Sequence, residues 1–169
     1  MITVHVAAKA LHAATYMIAL NLISLATAWA LVHALGNLSG IYFGDELIFT
    51  DNEMRMTLLT TLTLTLLPQC TTISFALLLS TTTRNTTAAI TAAIAAWIFV
   101  ETIKYPLDIA PYIYSTYAES PWEVYTDRCN AFEPSFLPDA YWGIGVSLIF
   151  ITLFTSLSLF ILGRRNLTA

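Results

Sequence analysis

The polar side chains inside the apolar stretches of this sequence are mostly hydroxyls and amides. In the stretch from 56 to 80, Thr65 and Thr72 fall near one face at helical spacing with Gln69 between them, and Asn21 lies inside an earlier stretch. Such groups either hydrogen-bond between packed helices or line a polar path. Helix packing is the commoner role of such residues. If they instead line a polar path, these four residues are the candidates for the path of a substrate.

The histidines and cysteines do not suit a cofactor. His12 and His33 stand at opposite ends of one apolar stretch, about 30 Å apart at about 1.5 Å per helical residue, and the other apolar stretches have no histidine. Cys70 lies inside a stretch and Cys129 outside any, which excludes an internal disulfide. We expect no haem, no metal ion and no other cofactor.

Ionisable residues avoid the centres of the apolar stretches, so a proton relay is not expected. The charged residues nearest to them, including Glu101 and Lys104, stand at the ends, where they can reach the membrane interface. The sequence also has no Gly-rich phosphate loop, nucleophile elbow, HExxH or CxxC motif. We therefore predict no catalytic residues and no enzymatic activity for this chain alone.

Composition places the chain in a membrane. Of its 169 residues 57% are hydrophobic and 11% charged, against about 45–50% and about 25% in soluble domains. The net charge of −4 disfavours nucleic-acid binding, because no basic patch could neutralise phosphates.

A helix needs about 20 apolar residues to cross about 30 Å of hydrocarbon. Four stretches meet this length, at about 10–35, 56–80, 87–103 and 141–162, the third being the shortest. The sequence therefore predicts an all-α polytopic membrane protein, with four transmembrane helices in one membrane domain over residues 1–169.

The basic residues predict the orientation. With four spans, Lys9, Arg84, Arg164 and Arg165 fall on the side of the termini, close to the span ends, whereas the opposite side is poorer in basic residues for its length. Cytoplasmic loops of membrane proteins carry the excess of Lys and Arg. We therefore expect a protein of the cell membrane with both termini in the cytoplasm.

The outer segment at about 104–140 contains all but one of the six prolines and many aromatic residues. Proline interrupts long helices, and aromatic rings with a polar edge favour the membrane interface. We expect short helical pieces that lie on the outer leaflet or dip into it.

Three segments together resemble a known family. A lead-in with the sequence Val-Ala-Ala-Lys-Ala-Leu, at 6–11, enters the first span. The second span ends in Leu-Leu-Leu-Ser-Thr-Thr-Thr-Arg-Asn, at 77–85, and turns at once into the third, and the last span stops at Leu-Gly-Arg-Arg, at 162–165. This arrangement resembles the membrane subunit of type-2 ATP-binding-cassette transporters, the permease family of many bacterial and archaeal exporters.

The resemblance implies protein partners for this chain, and the chain has fewer spans than the family. The family has six spans, and this chain resembles the last four, so the first two lie on another polypeptide or have been lost. A cytoplasmic ATPase and a second membrane subunit, identical or different, are the implied protein partners within the lipid bilayer. Lys9 and Arg84 are the candidate docking residues, although Arg84 could instead anchor its turn at anionic headgroups.

The leading functional prediction is therefore the membrane-embedded permease component of an ATP-driven exporter. The alternative is a non-catalytic accessory subunit of a larger membrane complex, such as a respiratory or oxidase assembly. Spans poor in charge and an aromatic outer segment suit both.

Overall fold

The computed structural model describes residues 11, 15, 18–19, 21–23, 25–27, 30, 40–83 and 86–166. The described positions between 11 and 30 are helical. The elements that follow are β1 (Ile41–Phe43), β2 (Glu46–Phe49), α1 (Asp51–Thr82), α2 (Thr86–Lys104), a short 3₁₀ helix (Ala110–Tyr112), α3 (Thr116–Cys129) and α4 (Asp139–Asn166).

Among the described residues, three helices are long and apolar enough to cross a membrane: α1, α2 from Thr87, and α4 as far as Arg164. They confirm the predicted apolar stretches at 56–80, 87–103 and 141–162 as helices. Most of the predicted span at 10–35 lies outside the described residues. The fourth span, the single domain over 1–169 and the orientation of the termini therefore stay predictions.

The helix α1 begins before its apolar stretch because a capping box fixes its start. The Thr50 backbone N–H donates to the Glu53 carboxylate at 2.8 Å, and the Glu53 N–H donates to the Thr50 hydroxyl at 3.3 Å. The helix then continues through Pro68 to Thr82. Its 32 residues measure about 48 Å, which exceeds the roughly 30 Å of a bilayer core, so its polar first turns can extend beyond the hydrocarbon.

The centre of the fold is α1, which packs on α2, α3 and α4. Its buried positions are Thr57, Thr61, Thr65, Pro68 and Thr71. The Thr71 hydroxyl donates to the Ser147 carbonyl of α4 at 3.3 Å, and the Thr61 hydroxyl donates to the Pro121 carbonyl of α3 at 3.1 Å. Helix contacts made by small and hydroxyl residues are typical of membrane proteins, where leucine gains nothing by leaving lipid.

A short β-hairpin precedes α1, in addition to the predicted all-α structure. The strands β1 and β2 pair antiparallel, with Tyr42 opposite Leu47, and are joined at Gly44 and Asp45. Gly44 has a φ of 63°, a left-handed conformation that tight hairpin turns require and glycine adopts without strain. The fold is therefore mostly helical with one hairpin in its described part, because a Gly-Asp turn joins two short runs of β-forming residues.

Residues 105–138, here called the cap, connect α2 to α4 and contain the 3₁₀ helix and α3. Arg128 of α3 ties the cap to its neighbours. Its guanidinium donates to the Thr57 hydroxyl of α1 at 2.8 Å and lies over the rings of Phe49 and Phe136, at 5.4 and 6.0 Å from their centroids. The cap is thus a folded unit joined to both α1 and the hairpin.

Candidate functional site

A half-open apolar cleft of about 290 Å³ lies between the helices, and the cap closes one of its ends. Its walls are formed by Thr72, Phe75 and Ala76 of α1; Ala93, Ile94, Ala96, Trp97 and Val100 of α2; Ile113, Tyr114 and Ser115 of the cap; and Phe150 and Phe154 of α4. The cleft arises because α2 packs chiefly against α1, so it diverges from α4.

Aromatic rings form one wall of the cleft. The ring centroids of Phe75 and Phe154 are 5.2 Å apart, those of Phe150 and Phe154 are 5.4 Å apart, and that of Tyr114 is 5.5 Å from Phe150. All three pairs are tilted, with angles of 45°, 48° and 59° between their ring planes. The wall joins α1, α4 and the cap into one rigid apolar surface.

Three polar residues, Thr72, Tyr114 and Ser115, lie at the cap end of the cleft, although little of their polar surface faces it. Ser115 donates a hydrogen bond to the Glu101 Oε1 at 2.5 Å, and Tyr114 shares a hydrogen bond with Thr72. Burial raises the pKa of the Tyr114 phenol, a hydrogen bond from Thr72 opposes that rise, and the negative charge of Glu101 adds to it. The phenol therefore stays protonated.

A charged cluster made of Glu101, Lys104 and Glu119 lies behind this end of the cleft. The Lys104 Nζ is 2.5 Å from Glu101 Oε2 and 3.2 Å from Glu119 Oε2. The lysine side chain is 0% exposed, and the glutamates are 19% and 50% exposed. One cation between two carboxylates gives the cluster a formal charge of −1.

The Lys104 side chain is therefore buried at the end of α2, whereas the expected interfacial lysine would extend to the surface. The cap folds back over the end of α2, and the two carboxylates replace the water that the ammonium would otherwise keep. The spacing of Glu101 and Lys104, three residues apart in a helix, was the available signal for this pair. No local spacing indicated Glu119, which lies fifteen residues after Lys104 in the sequence and contacts it through the fold of the cap.

The structure separates the predicted path residues. Thr72 lines the cleft. The Asn21 amide donates to the Gln69 side-chain carbonyl at 2.8 Å, which brings these two predicted residues together. Thr65 is 5% exposed and donates to the Thr61 carbonyl of its own helix, so it lies in the helix-packing face. Passage of a substrate along these residues stays a prediction.

The predicted docking residues Lys9 and Arg84 lie outside the described residues. Next to Arg84, the hydroxyls of Thr81, Thr82 and Thr83 donate to the carbonyls of Leu78 and Leu79. These bonds satisfy carbonyls that the end of a helix leaves without an intrahelical partner. The end of α1 is thus well defined up to the turn.

Sequence reasoning missed the aromatic wall of the cleft. Phe150 and Phe154 are four residues apart, a spacing that places them on one helix face, but lipid-facing aromatics give the same pattern. Within the described residues, no three His, Cys, Asp or Glu side chains form a group that could hold a metal ion, and Cys70 and Cys129 are free thiols. What the cleft offers is therefore an apolar, aromatic surface with a few polar residues at one end.

No family model matches this chain, and neither a curated protein nor a solved structure matches it.

Proposed function

We propose that the chain is an integral membrane protein that serves as the membrane-embedded permease component of an ATP-driven exporter. It works with a cytoplasmic ATPase and a second membrane subunit. The observation that carries the proposal is the half-open apolar cleft, which lies among helices long enough to cross a bilayer. Pockets of this kind, apolar with a few polar groups at one end, are typical of sites for small molecules.

The packing of the helices supports α2 as the part that moves during transport. Hydrogen bonds from α1 to α3 and α4, made by Thr61 and Thr71, hold these three helices together. In contrast, only 6% of the residues in the apolar part of α2 are buried. A shift of the rest of α2, with its Lys104 end held by Glu119 of α3, would widen or close the cleft, which is the kind of two-state rearrangement that transport requires.

The turn at 83–85 would transmit that shift. It joins α1 directly to α2, and the hydrogen bonds of Thr81, Thr82 and Thr83 keep the end of α1 helical up to it. A short connection passes on a push better than a long loop does. In this proposal the cytoplasmic ATPase binds there through Arg84.

The exposed apolar surface supports a membrane partner. In the apolar parts of α1 and α4, 22% and 17% of the residues are buried, so most of each helix faces lipid or another subunit. The second membrane subunit would cover part of this surface.

A second candidate function rests on the fixed contacts of α1, α3 and α4. A unit held by interhelical hydrogen bonds and by the Arg128 contacts also suits an accessory subunit that stabilises a larger respiratory or oxidase complex. Such a subunit would need no ATPase.

Purification of the tagged chain from native membranes separates the two functions. The exporter proposal expects ATP hydrolysis in the purified complex and loss of the ATPase from an Arg84→Glu variant. Arg55→Glu is the matched control, because Arg55 pairs with Asp51 at the opposite end of α1. This variant should keep the ATPase bound. Haem or copper subunits in place of an ATPase would overturn the proposal in favour of the accessory subunit.

A further inference from the structure

We propose that the cleft binds a lipophilic monocation, with an aromatic or aliphatic body between α2 and α4 and a cationic head at the Ser115 end. This inference deepens the proposed function by naming the class of substrate, and it rests on that function for the position of the chain in a bilayer.

Charge selects the head group. The Lys104 ammonium lies between two carboxylates, so the three charges sum to −1, and Glu119, the carboxylate farther from the lysine, is half-exposed. Ser115 is both a wall of the cleft and the hydrogen-bond donor to Glu101, which places this carboxylate one hydroxyl group behind the cleft surface. Because charges act strongly in surroundings of low dielectric constant, a cation gains there and an anion is repelled.

The aromatic wall favours the same charge. Tyr114 and Phe150 lie in tilted contact at the cap end, and Trp97 adds a third ring from α2. The faces of aromatic rings carry negative electrostatic potential and attract ammonium groups, most strongly where water is excluded. An anionic head would lose this contribution as well.

The size and opening of the cleft define the rest of the ligand. A volume of about 290 Å³ is at the lower end of the range for small-molecule pockets, about 300–1,000 Å³. Trp97 is 55% exposed although it lines the cleft, so the α2 side opens outward. The ligand is therefore a small amphiphile that enters sideways from the lipid.

Photolabelling tests this inference without an ATPase. The full chain is reconstituted in phosphatidylcholine bilayers and labelled with three aryl-diazirine probes of equal chain length, which carry a trimethylammonium, a sulfonate or a hydroxyl head. Mass spectrometry then gives the ratio of label at Ala93, Trp97 and Phe154 to label at Ile149, an exposed residue of α4 that measures partitioning into the bilayer.

We expect this ratio to be at least fivefold higher for the cation than for the anion, with the neutral probe between them. Equal ratios for the three probes, or a higher ratio for the anion, would overturn the inference while leaving the exporter proposal to its own ATPase test. If none of the probes labelled Ile149, the chain would not lie in the bilayer, and both proposals would be contradicted.

Two pairs of variants assign the effect to the cleft. Ala96→Phe fills the cleft and should abolish the cation preference, whereas Ala95→Phe adds the same ring at an exposed position outside the cleft walls and should keep it.

Glu101→Gln keeps an acceptor for Ser115 but removes the charge, so the preference should fall severalfold. Glu119→Gln removes an equal charge that is half-exposed and should have a smaller effect. An unchanged preference in both Ala96→Phe and Glu101→Gln would refute the assignment.

Discussion

The Lys104 ammonium lies 2.5 Å from the Glu101 carboxylate at the end of α2, and none of the lysine side chain is exposed. Glu119 of α3 accepts the second contact of this ammonium, at 3.2 Å. A buried cation is tolerated because carboxylates take the place of its water. The cluster therefore joins the end of α2 to α3 of the cap.

Replacement of Lys104 by Met should loosen the cap. The change leaves the Glu101 carboxylate without its cation, and loss of a hydrogen bond to a charged group costs about 1.5–3 kcal/mol. Glu119 contributes less because half of its side chain reaches solvent. Thermal unfolding of the purified protein should show a lower Tm for Lys104→Met, and the added change Glu101→Gln should restore part of it. A double variant no more stable than the single one would contradict this account of the cluster.

Replacement of Gly143 by Val should destabilise the contact between α4 and the cap. A Cβ at Gly143 would lie 2.9 Å from the Cβ and Cγ of Tyr117, so the tyrosine or the helix must shift. Overpacking of this kind costs about 1–3 kcal/mol. Gly145→Val is the control, because nothing lies within 4 Å of a Cβ there. Denaturation in detergent should separate the two variants, and equal Tm values would show that Tyr117 does not require the glycine.

Replacement of Thr61 by Val should release α3 from α1. The Thr61 hydroxyl is 0% exposed and donates to the Pro121 carbonyl, whereas the exposed Thr63 donates only to Leu59 of its own helix. Loss of an interhelical bond costs about 0.5–1.5 kcal/mol. Hydrogen exchange should therefore accelerate at the α3 amides in Thr61→Val but not in Thr63→Val. Equal exchange in both variants would contradict the role of this bond.

The long helices were predictable because their signal is local. The apolar stretch at 141–162 is long enough to cross a bilayer by itself, and α4 contains it entirely. The start of α1 was also encoded locally, since Thr50 and Glu53 have the spacing of a capping box, although hydropathy alone placed the start near Met56.

The cleft could not be predicted, because it depends on how helices diverge. Hydropathy does not tell whether Phe154 faces lipid or Phe75, and it does not bring Glu119 to Lys104. The different positions of the predicted path residues could not be predicted for the same reason. Thr65 and Thr72 are seven residues apart on one helix, but only Thr72 reaches the cleft, since the cap and α2 meet α1 at its level.

In the exporter proposal, the turn at 83–85 faces the cytoplasm and contacts an ATPase. Thr83→Cys, introduced together with Cys70→Ala and Cys129→Ser, provides a single thiol for cross-linking in native membranes. The matched control keeps the exposed Cys129 of the cap as its one thiol.

We expect an impermeant maleimide to label Cys129, and not the thiol at 83, in intact cells. A thiol-specific cross-linker should join the thiol at 83, and not Cys129, to a subunit that is also photolabelled by an azido derivative of ATP. Labelling of the thiol at 83 from outside, or a cross-link from it to a haem or copper subunit and to no ATP-binding one, would contradict the account.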